Sequence, residues 1–290
     1  MTAACEIVRL PEDLVSVIIS LTSPLDACRA AAVSRAFCAA ADSEAVWSRF
    51  LPTELSLVTT PASKKARFMR LSDHPTLLPC ELMSVWLDKA TGGKCYSLSA
   101  RALHILCGDD PGYWRWIHVD VPLDIETGTS TSLEAAQLML VFRLEIRGKI
   151  QRKMLSKRSI YVAYMVFKLL DRHAGLSHPY QQEAFVRRER RKSTHRACLG
   201  GYDDDAAAGG AVPWRQVWGA FQDGIRRRDP IDPNMVLPRR RADGWMELEL
   251  GWFYNKEDGE GEVCFGLTET ECPIPKIGLV VRSIEVRIKK

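Results

Sequence analysis

Residues Leu10 to Pro52 read LPEDLVSVIISLTSPLDACRAAAVSRAFCAAADSEAVWSRFLP, and this stretch decides the fold of the N-terminal part of the chain. Its apolar residues recur at helical spacing and are broken into short pieces. Leu14, Val17, Ile18 and Leu21 follow i, i+3, i+4, i+7, which places them on one face of a helix. Pro11 stands where a helix can begin, because its missing N–H would be unpaired there anyway. Ser23-Pro24-Leu25-Asp26 interrupts, and the Asp26 carboxylate is expected to cap a second helix. Val33-Ser34-Arg35-Ala36-Phe37 opens a third. Ser43 is expected to cap a fourth, carrying Val46, Trp47, Phe50 and Leu51, with Pro52 as its stop. Four helices of two or three turns cannot close a large core among themselves, so part of this apolar surface is expected to await another chain.

Working outward, the 290 residues leave room for two domains. A hydrophobic content of 46% and a charged content of 26% are ordinary for soluble globular protein. A formal net charge of +4 is mild and does not call for nucleic acid. The first ten residues carry Cys5, Glu6 and Arg9 without an apolar run, so no secretory signal is expected there. No window approaches the ~18 uninterrupted apolar residues of a membrane span. Nine Cys without any C-x-x-C pair argue against a disulfide framework and a Cys-rich zinc site. They point to a reducing compartment, cytoplasmic, nuclear or both.

After Pro52, Lys64 to Leu71 reads as a helix with one basic face lying against the first unit, and Leu82, Val85 and Trp86 read as a further helical turn. Thr91-Gly92-Gly93 breaks the chain, and from Lys94 the period becomes two. Leu140, Phe142, Leu144 and Ile146 alternate as a half-buried strand ending at Gly148. Tyr161 to Leu169 is apolar on both faces and reads as a central strand. Met246, Leu248, Leu250 and Trp252 share one face of another strand. In the last, Ile284, Val286 and Ile288 point in while Glu285 and Arg287 point out. Such strands with turn-rich connections suggest an antiparallel sandwich. Thr131-Ser-Leu-Glu134 reads as a capping box before a short helix. The acidic Gly/Ala segment near 199–212 and the stretch from Arg226 to Asp243 read as poorly ordered and as a long loop. The basic run Arg187 to Lys192 reads as a solvated strand end, with a nuclear signal or a nucleic-acid patch as the alternative.

The chemistry-bearing residues cluster around one turn. Leu103, Ile105 and Cys107 alternate before Gly108-Asp-Asp-Pro-Gly112, which presents Tyr113, Trp114 and Trp116. Aromatic faces stack on the apolar faces of sugar rings, and these aromatics are equally suited to a sandwich core. Asp109-Asp110 is a turn rather than a carboxylate pair. Six scattered His without H-E-x-x-H, and the lack of G-x-S-x-G or a phosphate-binding Gly loop, leave no enzyme reading, no metal site and no cofactor.

Leu10-Pro11, Ile18, Leu21, Val33-Ser34-x-x-Phe37 and Val46-Trp47, ending in Trp47-Ser-Arg-Phe-Leu-Pro52, resemble an F-box of plant phloem protein 2 type. That implies docking on the SKP-type adaptor of a cullin–RING ubiquitin ligase, with Leu10, Pro11, Leu14, Ile18, Val33, Phe37 and Trp47 as apolar anchors. Lys94–Trp116, Leu144–Ile150, Ala163–Leu169, Asp243–Gly251 and Gly278–Arg287 are similar to the phloem protein 2 or Nictaba-type lectin domain. The two resemblances imply a multidomain α+β chain. A small all-α F-box spans 1–52, a helical linker 53–93, and a jelly-roll-like antiparallel β-sandwich 94–290. The lectin resemblance implies binding of N-acetylglucosamine-containing glycans or glycoproteins without catalysis. The family's two sugar-stacking tryptophans fall at Trp114 and at Cys107, and its two glutamates at Glu262 and Glu269. One indole is therefore missing, worth roughly 0.5–1.5 kcal/mol beyond its buried area. Glu262 and Glu269 stand seven apart, so a regular strand would send them to opposite faces. The expected partners are the adaptor and a glycoprotein, or in the rival reading a protein surface recognised without sugar. No membrane and no nucleic acid is expected. A free-standing lectin is disfavoured by the F-box.

Overall fold

The computed structural model describes residues 10–52, 63–122, 130–177, 181–189, 191–200, 233–257, 260–270 and 274–289. Most of the 199–212 insert lies outside the described residues, as do residues 226–232 of the Arg226–Asp243 loop, while the rest of that loop is described and holds a short strand, Arg239–Arg240. Five helices, α1 (Glu12–Ser20), α2 (Pro24–Ala31), α3 (Arg35–Asp42), α4 (Glu44–Phe50) and α5 (Lys64–Asp73), come first. Fourteen strands follow: β1 (Thr76–Leu77), β2 (Met83–Leu87), β3 (Lys94–Ser99), β4 (His104–Ile105), β5 (Trp114–Pro122), β6 (Ser130–Leu138), β7 (Leu144–Gln151), β8 (Ser159–Ala174), β9 (Gln182–Arg188), β10 (Arg191–Ala197), β11 (Arg239–Arg240), β12 (Met246–Asn255), β13 (Glu262–Glu269) and β14 (Ile277–Ile288). The expected class, a helical N-terminal unit followed by an antiparallel sandwich, is the one observed.

Capping sets the helix starts. Ser23 Oγ accepts the Asp26 N–H at 3.1 Å, and the Ser23 hydroxyl donates to the Asp26 carboxylate at 2.8 Å. The cap of α2 is therefore Ser23, not Asp26, because the non-helical residue before Pro24 is the one whose side chain can reach back to the orphan N–H. Ser34 caps α3 through the Phe37 N–H at 3.3 Å. Ser43 precedes α4 without a side-chain cap bond. The helices close a small core of Val15, Ile19, Ala27, Ala40, Val46, Trp47 and Phe50, completed by Phe68 and Leu71 of α5 and Leu87 of β2.

Residues 82–86 are not helical: β2 pairs with β3 from Met83↔Leu98 to Leu87↔Lys94. Their spacing suits either period, and the cross-strand hydrogen bonds with Val85 and Leu87 turned inward decide for the strand. The sheet thus begins inside the span expected as a helical linker. Residues 130–138 are likewise a strand, paired with β5 from Trp114↔Leu138 to Pro122↔Ser130, so no helix follows the Thr131–Glu134 motif. Leu140 and Phe142 are exposed and precede β7, which runs through Gly148 to Gln151. A Cβ at Gly148 would stand 2.5 Å from Phe265 Cε2, so the glycine seats that ring.

The larger sheet has the order β1-β2-β3-β14-β8-β12-β11, with β5 and β6 attached through β6–β14. The smaller has β10-β9-β13-β7-β4. Every pairing between named strands is antiparallel. The central place expected for Tyr161–Leu169 is observed, with β8 between β14 and β12. The core between the sheets is built from Leu144, Ile146, Met165, Phe167, Leu248, Phe265, Ile284 and their neighbours. A bulge at Glu249/Gly251 corrects the strict alternation expected for β12. Gly251 has φ 131° and lies so close to Val186 that a Cβ would stand 2.9 Å from Cγ2. The extra residue turns Phe253 into the core and Trp252 out, 54% exposed. The basic run forms the β9–β10 hairpin, with Glu189 at φ 53° in its turn and Lys192 paired to Glu183. No helix among the described residues is long and apolar enough to cross a membrane.

Candidate functional site

Two surfaces bear on function. On α1 the buried side chains are Val15, Ser16 and Ile19, with Ser16 Oγ donating to the Ala40 carbonyl at 3.1 Å. The apolar stripe read from the sequence is the opposite face. Leu14 (51% exposed), Val17, Ile18 and Leu21 point outward, joined by Leu10, Pro11, Leu25 and Val33, the last 70% exposed. The helix is apolar on both sides and has only one side to bury in its own unit. Phe37 is half-buried against the helical core.

Trp47 is different. It is 1% exposed, its indole N–H donates to the Ala41 carbonyl at 2.8 Å, and its ring lies 5.6 Å from Phe50 and 5.3 Å from Phe68. The expectation of Trp47 as a surface anchor is corrected, because α5 covers it and supplies the aromatic wall. α5 also carries the basic face expected of it: Lys65 bonds to Asp42 and the Lys64 ammonium to Ser48, while the Lys64 backbone N–H donates to the Glu44 carboxylate at 3.0 Å. The helical unit touches the sandwich at the β2–β3 turn, where Gly92 at φ 72° leaves 3.2 Å between its would-be Cβ and Pro24.

On the sandwich the three carbohydrate candidates are not brought together. Trp114 is 2% exposed, and its indole N–H donates to the Leu106 carbonyl at 3.1 Å. No ring face is offered to a ligand, so the stacking role is corrected to a core role. Along β13 the register with β7 is unbroken from Glu262↔Gln151 to Glu269↔Leu144. Seven residues of strand separate the two carboxylates by roughly 23 Å, on opposite faces. Glu262 accepts from Gln151 Nε2 at 2.6 Å and faces Lys149 at 3.5 Å. Glu269 is buried and ion-paired to Lys276, whose ammonium also donates to the Phe142 and Ile274 carbonyls at 3.0 and 3.1 Å.

The turn that carries the aromatics is well built. The Asp110 carboxylate accepts the Gly112 N–H at 2.8 Å, and its carbonyl accepts the N–H groups of Tyr113 and Trp114. Cys107 is exposed at φ 59° and ends the alternation of Leu103 and Ile105. Trp116 is half-buried, donates to the Gly108 carbonyl at 3.0 Å, and is covered on one face by Arg101 at 3.7 Å. Arg101 grips Glu134 with two bonds, at 2.7 and 2.9 Å, and that hydrogen bonding holds the Glu134 carboxyl below the usual carboxylate range. The sequence reading missed this Arg–Glu–Trp stack, because 33 residues separate its ionic partners.

Sequence reading also missed a network on the outer face of the larger sheet. Arg241 bonds Glu285 at 3.1 Å, Arg282 bonds Asp243 at 3.1 Å, and Arg287 bonds Glu247 at 2.7 Å and Glu285 at 2.8 Å. Burial pushes the Glu285 carboxyl up, but Arg287, Arg241 and Arg282 together pull it below the usual carboxylate range. Glu285 and Arg287 do face away from the core as expected, yet Glu285 is buried by its partners. Separately, an open polar groove of about 1090 Å³ crosses the smaller sheet between Arg147, Phe185, Lys192 and Thr268. Glu269 lies at its edge, and neither Trp114 nor Glu262 belongs to it. No group of His, Cys, Asp and Glu suited to a metal ion occurs among the described residues.

Comparison with known proteins agrees with this architecture. Residues 93–288 match the phloem protein 2 family and residues 7–55 match the F-box-like family. F-box protein PP2-B10 of Arabidopsis thaliana is 37% identical over 290 residues, covering 97% of this chain and 93% of that protein. F-box protein PP2-B1 of the same plant is 35% identical over 314 residues, covering 99% and 91%. F-box protein SKIP3, also from Arabidopsis thaliana, is 33% identical over 291 residues, covering 97% and 88%. The similarity runs along nearly the whole length of these relatives, and the chain belongs to the phloem protein 2 family of F-box proteins.

Proposed function

We propose that this chain is the substrate-recognition subunit of an SCF-type cullin–RING ubiquitin ligase. The α1 face docks a SKP-type adaptor and the sandwich captures the target. The observation that carries the reading is the row Leu14, Val17, Ile18, Leu21, exposed on a helix whose other side already fills the core. Fully burying such a side chain stabilises an association by about 1.5–3 kcal/mol, so a few of them suffice for an adaptor contact. The chain acts by positioning, with ubiquitin transfer carried by other subunits. All seven cysteines among the described residues are free, which suits the cytosol or the nucleus.

For the target, the geometry supports direct capture of a protein better than capture of N-acetylglucosamine-containing glycans. Trp114 has no free face, Cys107 replaces the second indole, and Glu262 and Glu269 stand apart. Trp252, Tyr254 and Ile160, side by side on β12 and β8, are exposed instead and offer the kind of patch a protein partner covers. The test is co-purification with a SKP-type adaptor, wild type against Leu14→Asp/Ile18→Asp, followed by a glycan array of the adaptor-bound chain. Loss of the adaptor in the folded variant is expected, and a variant that still co-purifies would overturn the docking face. Binding of N-acetylglucosamine oligomers, lost in Glu262→Ala, would restore the sugar reading.

A further inference from the structure

Beside the C-terminal end of α5 lies a cavity of about 580 Å³ on the outer face of the larger sheet. Its floor is formed by β3 and β14, where Ser99 and Ser283 stand directly opposite each other. Ser283 is 3% exposed, and the hydroxyl oxygens of both serines are buried without a hydrogen-bond partner. A β-bulge between Val281 and Ser283 places Arg282 and Ser283 together on this face. The apolar part of the lining includes Leu82, Met83, Trp86 and Leu133, beside the charged groups of the arginine–carboxylate network.

A buried hydroxyl without a partner costs stability, and two on adjacent strands at the floor of one cavity mark a place where, with a χ1 turn of each serine, a ligand's polar group completes the hydrogen bonding. The cavity falls in the size range of small-molecule sites, and its lining sets apolar side chains beside serines and charged groups. Its charges decide the ligand class. Three guanidiniums, Arg241, Arg282 and Arg287, face four carboxylates, Asp73, Asp120, Asp243 and Glu285. Each guanidinium is already bonded to a carboxylate. An anion would have to break these pairs and meet surplus negative charge. We infer that the cavity is a binding site for a neutral small molecule with an apolar body and an amide or hydroxyl end. The polar end bonds Ser99 and Ser283, and the body packs on Met83, Trp86 and Leu133. The site shares no residue with Trp114, Glu262 and Glu269 and is independent of the function proposed above. An occupant would touch Ser72 and Asp73 of α5 as well as the sheet, tying the helical unit to the sandwich.

The probe is acetanilide, a phenyl ring with a neutral amide, titrated into the full-length chain, with phenylacetate as its anionic counterpart. Acetanilide is expected to bind saturably and at least about tenfold more tightly than phenylacetate, and to slow amide exchange over residues 82–86 and 97–99. In Ser99→Ala/Ser283→Ala the affinity falls about tenfold, the equivalent of one or two hydrogen bonds, while the melting temperature holds or rises. The inference is overturned if acetanilide shows no saturable binding up to its solubility. It is also overturned if phenylacetate binds equally well, or if the double variant binds acetanilide unchanged.

Discussion

Trp47 in the helical unit and Trp114 in the sandwich are buried alike, and each donates its indole N–H to a backbone carbonyl, at 2.8 and 3.1 Å. The surfaces around them differ. The helical unit leaves a row of aliphatic residues on α1 in solvent, whereas the sandwich buries most of its aliphatic residues, the largest cluster between its two sheets. Four short helices cannot surround α1, and two broad sheets can surround each other. An exposed apolar row therefore means a missing partner in the first region. In the second, the exposed Trp252 is the consequence of a bulge.

That contrast can be broken by mutation. The largest effects are expected inside: Trp47→Ala and Trp114→Ala each cost about 3–5 kcal/mol in urea unfolding, since each leaves a cavity and an unpaired carbonyl. If Trp114→Ala unfolds at the wild-type midpoint, the indole is not structural and the sugar-stacking role returns. Ile18→Asp is expected to weaken adaptor binding about 30-fold, or ~2 kcal/mol, with its melting temperature unchanged. A parallel loss of stability would mean that the α1 row belongs to the unit's own core. Gly251→Ala is expected to cost about 1–3 kcal/mol, because φ 131° strains any L side chain and Val186 stands 2.9 Å from the new methyl.

A smaller effect is expected from acid. The folded carboxyls of Glu285 and Asp243 both lie below the ordinary range: burial raises each, and it is more than offset at Glu285 by Arg287, Arg241 and Arg282, and at Asp243 by the Trp245 N–H followed by Arg241 and Arg282. A depressed pKa contributes stability that is complete above the unfolded value, about 4 for such groups, and is lost as pH falls through the lower folded value. Stability should therefore decline below about pH 4, and Glu285→Gln should flatten that decline. An unchanged acid limb would show that the network carries no such linkage. Smallest of all, Trp252→Ser should change stability by no more than about 0.5 kcal/mol, the counterpart to Trp114 within the same domain.

Much of this was legible in the residues. The four short helices and their apolar stripe, the central β8 and the two-part organisation follow from periodicity, because 3.6 and 2 are local signals. Residues 82–86 suggest a helix because a short apolar run fits both periods, and Ala135–Leu140 because Thr131–Glu134 has the form of a capping box; only pairing with β3 and β5 decides for strands. Family comparison also starts its second region at residue 93, after β1 and β2 have already joined the sheet. The sugar candidates stood at matching positions, but position along a chain does not state whether a ring face is free.

By itself the sequence determined the helix starts at Pro11 and Ser34, the apolar stripe of α1, the alternation of the central strands and membership in the family. These are properties of neighbours a few residues apart. Tertiary structure alone decided which side of α1 faces water, that Trp114 is enclosed, that a bulge at Gly251 turns Trp252 outward, and that Ser99 and Ser283 meet across two strands without a partner. Each depends on what stands opposite in space, and on burial, which belongs to the packed whole and not to any one segment.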